Sequence, residues 1–223
     1  MAASSLATAP APAARPITYP DSDGMPMADN TVQFDWIVVL KLNLDAILLW
    51  FVAGNLLWYP VEGDNKTRQA PDVLVALGRP KGERGSYRQW EEGGQPPQVV
   101  FEVLSPGNRI GEMYKKLHFY ERYGVEEYYV IDPENASLLV MLRQEGQLVD
   151  VPDVDGFTSP RLGITFKHEG DKLVVYRPDG QRFLTFDELM GRVAAEKLRA
   201  DQALSRAAAL EAQLRALGID PSV

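Results

Sequence analysis

Two acidic residues stand inside apolar runs: Asp72 in Pro71-Asp72-Val73-Leu74-Val75, and Glu102 in Val99-Val100-Phe101-Glu102-Val103-Leu104. Burying a carboxylate among such neighbours is unfavourable unless a cation or hydrogen bonds compensate it. If the two runs are adjacent strands, Asp72 and Glu102 can share a hard divalent cation, Mg²⁺ or Mn²⁺ in its place. Water, a backbone carbonyl such as that of Val103 and a substrate phosphate would complete its shell. Downstream, a helix from Arg109 places Arg109, Glu112 and Lys116 within one wedge of about 60°, beside the apolar arc Ile110, Met113, Tyr114, Leu117 and Tyr120. From that border Lys116 can lean toward the strand of Glu102, with Glu112 holding it as an i,i+4 partner. A metal that activates water and polarises a phosphoryl oxygen, with Lys116 countering the developing charge, is a phosphodiesterase. The bare residues equally admit a structural role, Glu102 being a strand-end acid paired with Lys116.

Positioning these groups takes a sheet with helices on it. Phe34, Ile37, Val38, Leu40, Leu44 and Leu48 recur at helical spacing, so residues 31–49 are expected to form a covering helix. Residues 51–59, 72–77, 99–104 and 127–131 read as strands, the second and third being apolar on both faces as buried strands are. Asn108 is the expected N-cap of the Arg109–Tyr123 helix and Gly124 its left-handed C-cap. Leu138–Leu142 and short strands out to Tyr176 form a meander with turns at Glu145-Gly146, Asp155-Gly156, Glu169-Gly170 and Pro178-Asp179-Gly180. The fold class is α/β (α+β), a central mixed sheet flanked by helices. Residues 187–217, in an Ala-, Leu- and Arg-rich tail over 181–223, place Val193, Ala200, Ala207 and Leu214 seven apart. That is a long helix, either exposed or a coiled-coil surface for a second copy or a partner.

Other residues carry weaker signals. Ser105 has no histidine nearby in sequence and reads as a turn residue. Glu62, in Val61-Glu62-Gly63-Asp64, is a turn residue within conceivable reach of the metal. Residues 78–97 form a polar loop in which Arg84, Arg88 and Trp90 could meet phosphate and base. His118 falls away from Lys116 and is read as solvated.

The 223 residues, 45% hydrophobic, support one core of ordinary size with appendages. No cysteine is present, which excludes disulfides and thiolate sites. A net charge of −8 excludes a chain that coats nucleic acid by bulk electrostatics, though not a local metal-assisted site. Residues 1–30, rich in Ala, Pro, Ser and Thr, read as a disordered leader without a secretory signal. Lys41, Asn43, Asp45 and Asn55 interrupt the apolar stretch from Trp36 to Tyr59, so no membrane span is expected and the cytoplasm is the expected compartment.

Pro71-Asp72-Val73, Glu102-Val103-Leu104-Ser105-Pro106, Arg109, Lys116, Tyr120 and Gly124-Val125-Glu126-Glu127-Tyr128 ending in Asp132-Pro133 together resemble the Uma2 family of the PD-(D/E)XK restriction-endonuclease-like superfamily. Trp58-Tyr59-Pro60-Val61-Glu62-Gly63, Tyr87-Arg88-Gln89-Trp90-Glu91-Glu92 and the closing Leu217-Gly218-Ile219-Asp220-Pro221 fit the same likeness, which centres on residues 31–180. The resemblance implies a restriction-endonuclease-like core and a Mg²⁺-dependent DNA endonuclease with Asp72 and Glu102 as metal ligands. The superfamily pattern wants a lysine at position 104, where this chain has Leu104. The resemblance puts that lysine on the next helix, at Lys116, with Glu112 where the family usually has Asp. The rival expectation is a nuclease-fold interaction module of little activity acting through its C-terminal helix.

Overall fold

The computed structural model describes residues 17–22, 24 and 26–217. In chain order its elements are α1 (Thr31–Ile47), β1 (Trp50–Gly54), β2 (Trp58–Tyr59), β3 (Val73–Pro80), β4 (Tyr87–Arg88), β5 (Val99–Val103), α2 (Ile110–Tyr123), β6 (Glu127–Asp132), β7 (Ser137–Gln144), β8 (Gln147–Asp150), β9 (Thr165–Glu169), β10 (Lys172–Tyr176) and α3 (Phe186–Ala216). Six strands form one sheet in the order β1-β3-β5-β6-β7-β8. Its one parallel pair is β5 with β6, joined through α2, and the rest is antiparallel. A mixed sheet flanked by helices, with a long C-terminal helix, is the architecture expected of the sequence.

Strand periodicity divides the core into two layers. Val73, Val75, Phe101, Val103, Tyr129 and Ile131 face α1 and the β9–β10 hairpin. Leu74, Ala76, Val100, Tyr128 and Val130 face α2 and the small parallel pair β2–β4. Trp58 and Tyr120 stack in parallel planes with centroids 6.4 Å apart in this second layer, a contact that adds about 1 kcal/mol to their burial and fixes the Tyr120 ring.

α1 is capped by Asn30, whose side chain accepts from the Gln33 N–H. α2 closes on Gly124 in left-handed backbone, as expected. Its N-cap, however, is Arg109, with no side-chain capping bond. Asn108 instead turns back to accept from the Ser105 N–H, tightening the loop after β5. The expected strand over residues 51–59 is two strands, because Asn55 takes positive φ and ends β1. Ile110 and Tyr114, placed on the apolar arc of α2, are exposed. The first turns of the helix overhang the sheet, and only Tyr120 in the last turn is buried.

The leader expectation also changes from residue 17 onward, residues 1–16 lying outside the described ones. Tyr19 packs on Tyr59 and Trp90, and the Tyr59 hydroxyl donates to the Pro20 carbonyl. Aromatic burial anchors a segment whose composition alone suggested no packing. α3 begins with a capping box of Thr185 and Glu188 and buries none of its residues. Residues 218–221, part of the tail reading, lie outside the described residues. Among the described residues no helix is long and apolar enough to cross a membrane.

Candidate active site

The antiparallel register pairs Val73 with Phe101 and Leu74 with Val100, so Asp72, one residue before β3, falls opposite Glu102. Asp72 shares parity with Leu74, and Glu102 with Val100, which directs both carboxylates to the face covered by α2. Across that face α2 lays Lys116 and Tyr120, one turn apart. Glu102 Oε2 accepts from Lys116 Nζ at 2.8 Å, and Oε1 accepts a short hydrogen bond from the Tyr120 hydroxyl. Asp72 Oδ2 accepts from the Val103 N–H at 2.7 Å, and the Asp72 carboxyl is in hydrogen-bond contact with Glu102. Asp72, Glu102 and Lys116 are thereby brought into one cluster.

The electrostatics follow from burial. Desolvation, followed by the charge of Glu102, pushes the Asp72 carboxyl up to about 8, so it holds its proton at neutral pH. Burial opposes the charge on Lys116, but Glu102 outweighs it and holds the ammonium above its usual value. Burial, reinforced by Glu102, raises the Tyr120 hydroxyl far above the usual tyrosine range, so it remains a donor. The cluster thus balances one carboxylate with one ammonium while keeping its second acid neutral.

Beside it lies a cavity of about 410 Å³ whose wall includes Asp72, Glu112, Lys116, Gln33 and Asn55. Asp21, Ser22 and residues 26–29 supply another wall. Glu102, 2% exposed, does not reach the wall, being covered by Lys116, Tyr120 and Asp72. Among the described residues no three His, Asp or Glu side chains gather into a closed metal cage. Two hard carboxylates in mutual contact, one of them neutral only through repulsion and burial, are nevertheless a donor set that fits one Mg²⁺ completed by water and phosphate.

The secondary candidates divide. Glu112 lines the cavity, but its expected pair with Lys116 gives way to Lys116–Glu102, since the buried Glu102 loses more without a cation than a solvated Glu112 does. The Val103 carbonyl accepts from Gln33 Nε2 at 2.8 Å, while its N–H serves Asp72. Ser105 is buried and donates to Asp29 Oδ2 at 2.6 Å, a bond that ties the loop after β5 to the segment before α1. Arg109 is exposed and borders an apolar groove, and Glu62 is exposed in its turn; neither lines the cavity. Arg84 is held by Glu92 at 2.6 Å and lies over Phe51, while Arg88 pairs with Glu91 and lies over Tyr19. Those loop arginines are thus engaged within the protein.

Three participants escaped the sequence reading. Tyr120 stands on the apolar arc and among the residues that carry the resemblance, with no role assigned there, although its position four residues after Lys116 is itself a signal for a shared target. Gln33 is a polar residue on the buried stripe of α1. Asn55 breaks a strand run, a sign visible as Gly54-Asn55.

The family model Uma2, described as "Putative restriction endonuclease", matches residues 30–182. No curated protein matches. Among solved structures, a similar chain is described as a putative nuclease belonging to DUF820 from Anabaena variabilis ATCC 29413. It is 18% identical, with 57% of this chain and 69% of that one covered and a TM-score of 0.40.

Proposed function

The chain belongs to the Uma2 family, and from that premise we propose that it is a Mg²⁺-dependent endonuclease that hydrolyses phosphodiester bonds in DNA. The observation that carries the reading is the convergence of Asp72, Glu102 and Lys116 beside one cavity. Asp72 and Glu102 would hold the metal. When bound, it supplies Lewis-acid polarisation of the phosphoryl oxygen and lowers the pKa of water.

The protein's own groups do the remainder. To serve as a ligand Asp72 would have to lose its proton, which the adjoining cavity can pass to solvent. Lys116 donates to Glu102 Oε2, whose second lone pair would remain for the metal. Lys116 also lines the cavity, where its charge would stabilise the additional negative charge of a phosphate in the transition state. Tyr120 keeps its bond to Oε1 throughout and holds the Glu102 rotamer.

A second reading, a nuclease-fold interaction module without activity, rests on the unburied α3, whose exposed Leu189, Val193, Leu204 and Leu210 offer a surface to a second copy or another partner. Incubation with supercoiled plasmid across a Mg²⁺ and Mn²⁺ titration separates the two, with RNA run in parallel. The endonuclease reading expects nicked and then linear DNA, abolished by EDTA and by Glu102→Gln. Intact plasmid at every metal concentration, with α3-dependent self-association, leaves the interaction module.

A further inference from the structure

Asn55 follows β1 with a φ of 49°, left-handed backbone that glycine adopts freely and asparagine more readily than most residues. Its N–H donates to the Asp72 carbonyl at 3.1 Å, which ties it to the residue opposite Glu102. The side chain lines the same cavity as Asp72 and Lys116. Its Nδ2 is buried and has no hydrogen-bond partner. Tyr128 and Ser86 are among the other described residues with a buried unpartnered polar atom, but none of those others lines this cavity.

Glycine would suit the left-handed backbone as well and has no amide to leave unpaired, so the unpartnered Nδ2 is a cost that glycine would remove. A removable cost held beside a reaction centre points to a group kept for what it does to a ligand. The cavity already holds a lysine for charge, so the missing element is an uncharged donor that orients an anionic oxygen without competing for the carboxylates. The terminal torsion of an Asn side chain is broad, so the amide can turn its N–H from the wall into the cavity cheaply.

We infer that the Asn55 carboxamide is a substrate-binding group of this site, donating a hydrogen bond to a non-bridging oxygen of the nucleic-acid phosphate being cleaved. The inference rests on the phosphodiesterase reading above. Asn55→Gly removes the amide while keeping the left-handed backbone and the N–H bond to Asp72; Asn55→Asp keeps the shape and replaces the donor with a repelling charge. Melting temperature, kcat and KM on a DNA oligonucleotide with Mg²⁺, and anisotropy binding of the same oligonucleotide with Ca²⁺, are measured for each. For Asn55→Gly the expected result is an unchanged or raised melting temperature, binding and kcat/KM lowered about tenfold or more, and an unchanged salt dependence because no charge is lost. Asn55→Asp is expected to lose more. Wild-type binding and kcat/KM in Asn55→Gly, or a clear fall in its melting temperature, overturns the inference by making the amide dispensable or structural. If Asn55→Gly equals a wild-type protein that cuts DNA, this inference alone fails. If the wild type neither binds nor cuts, the phosphodiesterase reading fails and takes the inference with it.

Discussion

Glu102 on β5 and Glu127 on the neighbouring parallel strand β6 are both 2% exposed, yet they sit in opposite circumstances. Glu127 is saturated by neutral donors: the Tyr129 hydroxyl at 2.7 Å, the Ser159 hydroxyl at 2.5 Å and the Arg161 N–H at 2.7 Å. These bonds lock β6 to the loop before β9; Glu127 lines a pocket with Glu126, but that second acid is paired with Arg161. Glu102 faces an ammonium, a phenol and another carboxyl, with a cavity alongside. A buried acid therefore says little by itself. An acid whose partners include a second acid and a cavity-lining lysine is the arrangement on which the proposed cation site rests.

The sharpest contrast comes from removing each charge. Glu102→Gln should bring plasmid nicking to background while the melting temperature holds or rises, because the Asp72 carboxyl loses the charge that repels its ionisation. Glu127→Gln should do the reverse, lowering stability by on the order of 3 kcal/mol as charge-assisted bonds are lost, while the folded fraction still nicks DNA. Denaturant melts and nicking assays on both proteins check this. Equal effects of the two substitutions would erase the distinction.

Lys116 comes next. Lys116→Ala should lower turnover about a hundredfold while leaving metal affinity unchanged or improved, since the ammonium competes with the cation at Glu102. Lys115→Ala, on the exposed side of α2, should be nearly silent. Calorimetric metal titration and single-turnover kinetics separate the two terms; a damaging Lys115→Ala with a silent Lys116→Ala breaks the assignment.

The pH dependence is smaller but has a definite sign. The Asp72 carboxyl titrates at about 8 in the fold against an ordinary 3.8, so its contribution to stability is present below pH 4 and is lost as pH rises toward 8. Metal binding needs that proton gone. Apparent metal affinity should thus climb up to about tenfold per pH unit across this window and level off above pH 8, with one proton released per ion. Affinity flat from pH 5 to pH 8 would remove Asp72 from the ligand set.

The smallest effect belongs to Tyr120. Tyr120→Phe should keep the Trp58 stack and cost about tenfold in metal affinity or rate by freeing the Glu102 rotamer. An unchanged rate and affinity would leave the hydroxyl only a packing role.

The sheet, α1, α2 and the meeting of Asp72, Glu102 and Lys116 were legible because period-two and helical patterning is local, and because acids in apolar runs are costly enough to announce themselves. The burial of Glu127 was not legible: its partners Ser159 and Arg161 come from a distant loop, and a Glu opening a strand reads as exposed. Nor was the packed segment from residue 17, whose anchor is one tyrosine meeting Tyr59, Gly63 and Trp90. The split at Asn55 left a mark in Gly54-Asn55, a turn-forming pair inside the apolar run, that a single strand over residues 51–59 overlooks.

The central claim is that Asp72 and Glu102, and not Glu127, bind a divalent cation. Crystals grown with Mn²⁺ and measured at its absorption edge test it directly. The account predicts an anomalous peak about 2.1 Å from one oxygen of each of Asp72 and Glu102. Saturating Mn²⁺ with no peak there, or a peak at Glu127 instead, contradicts it.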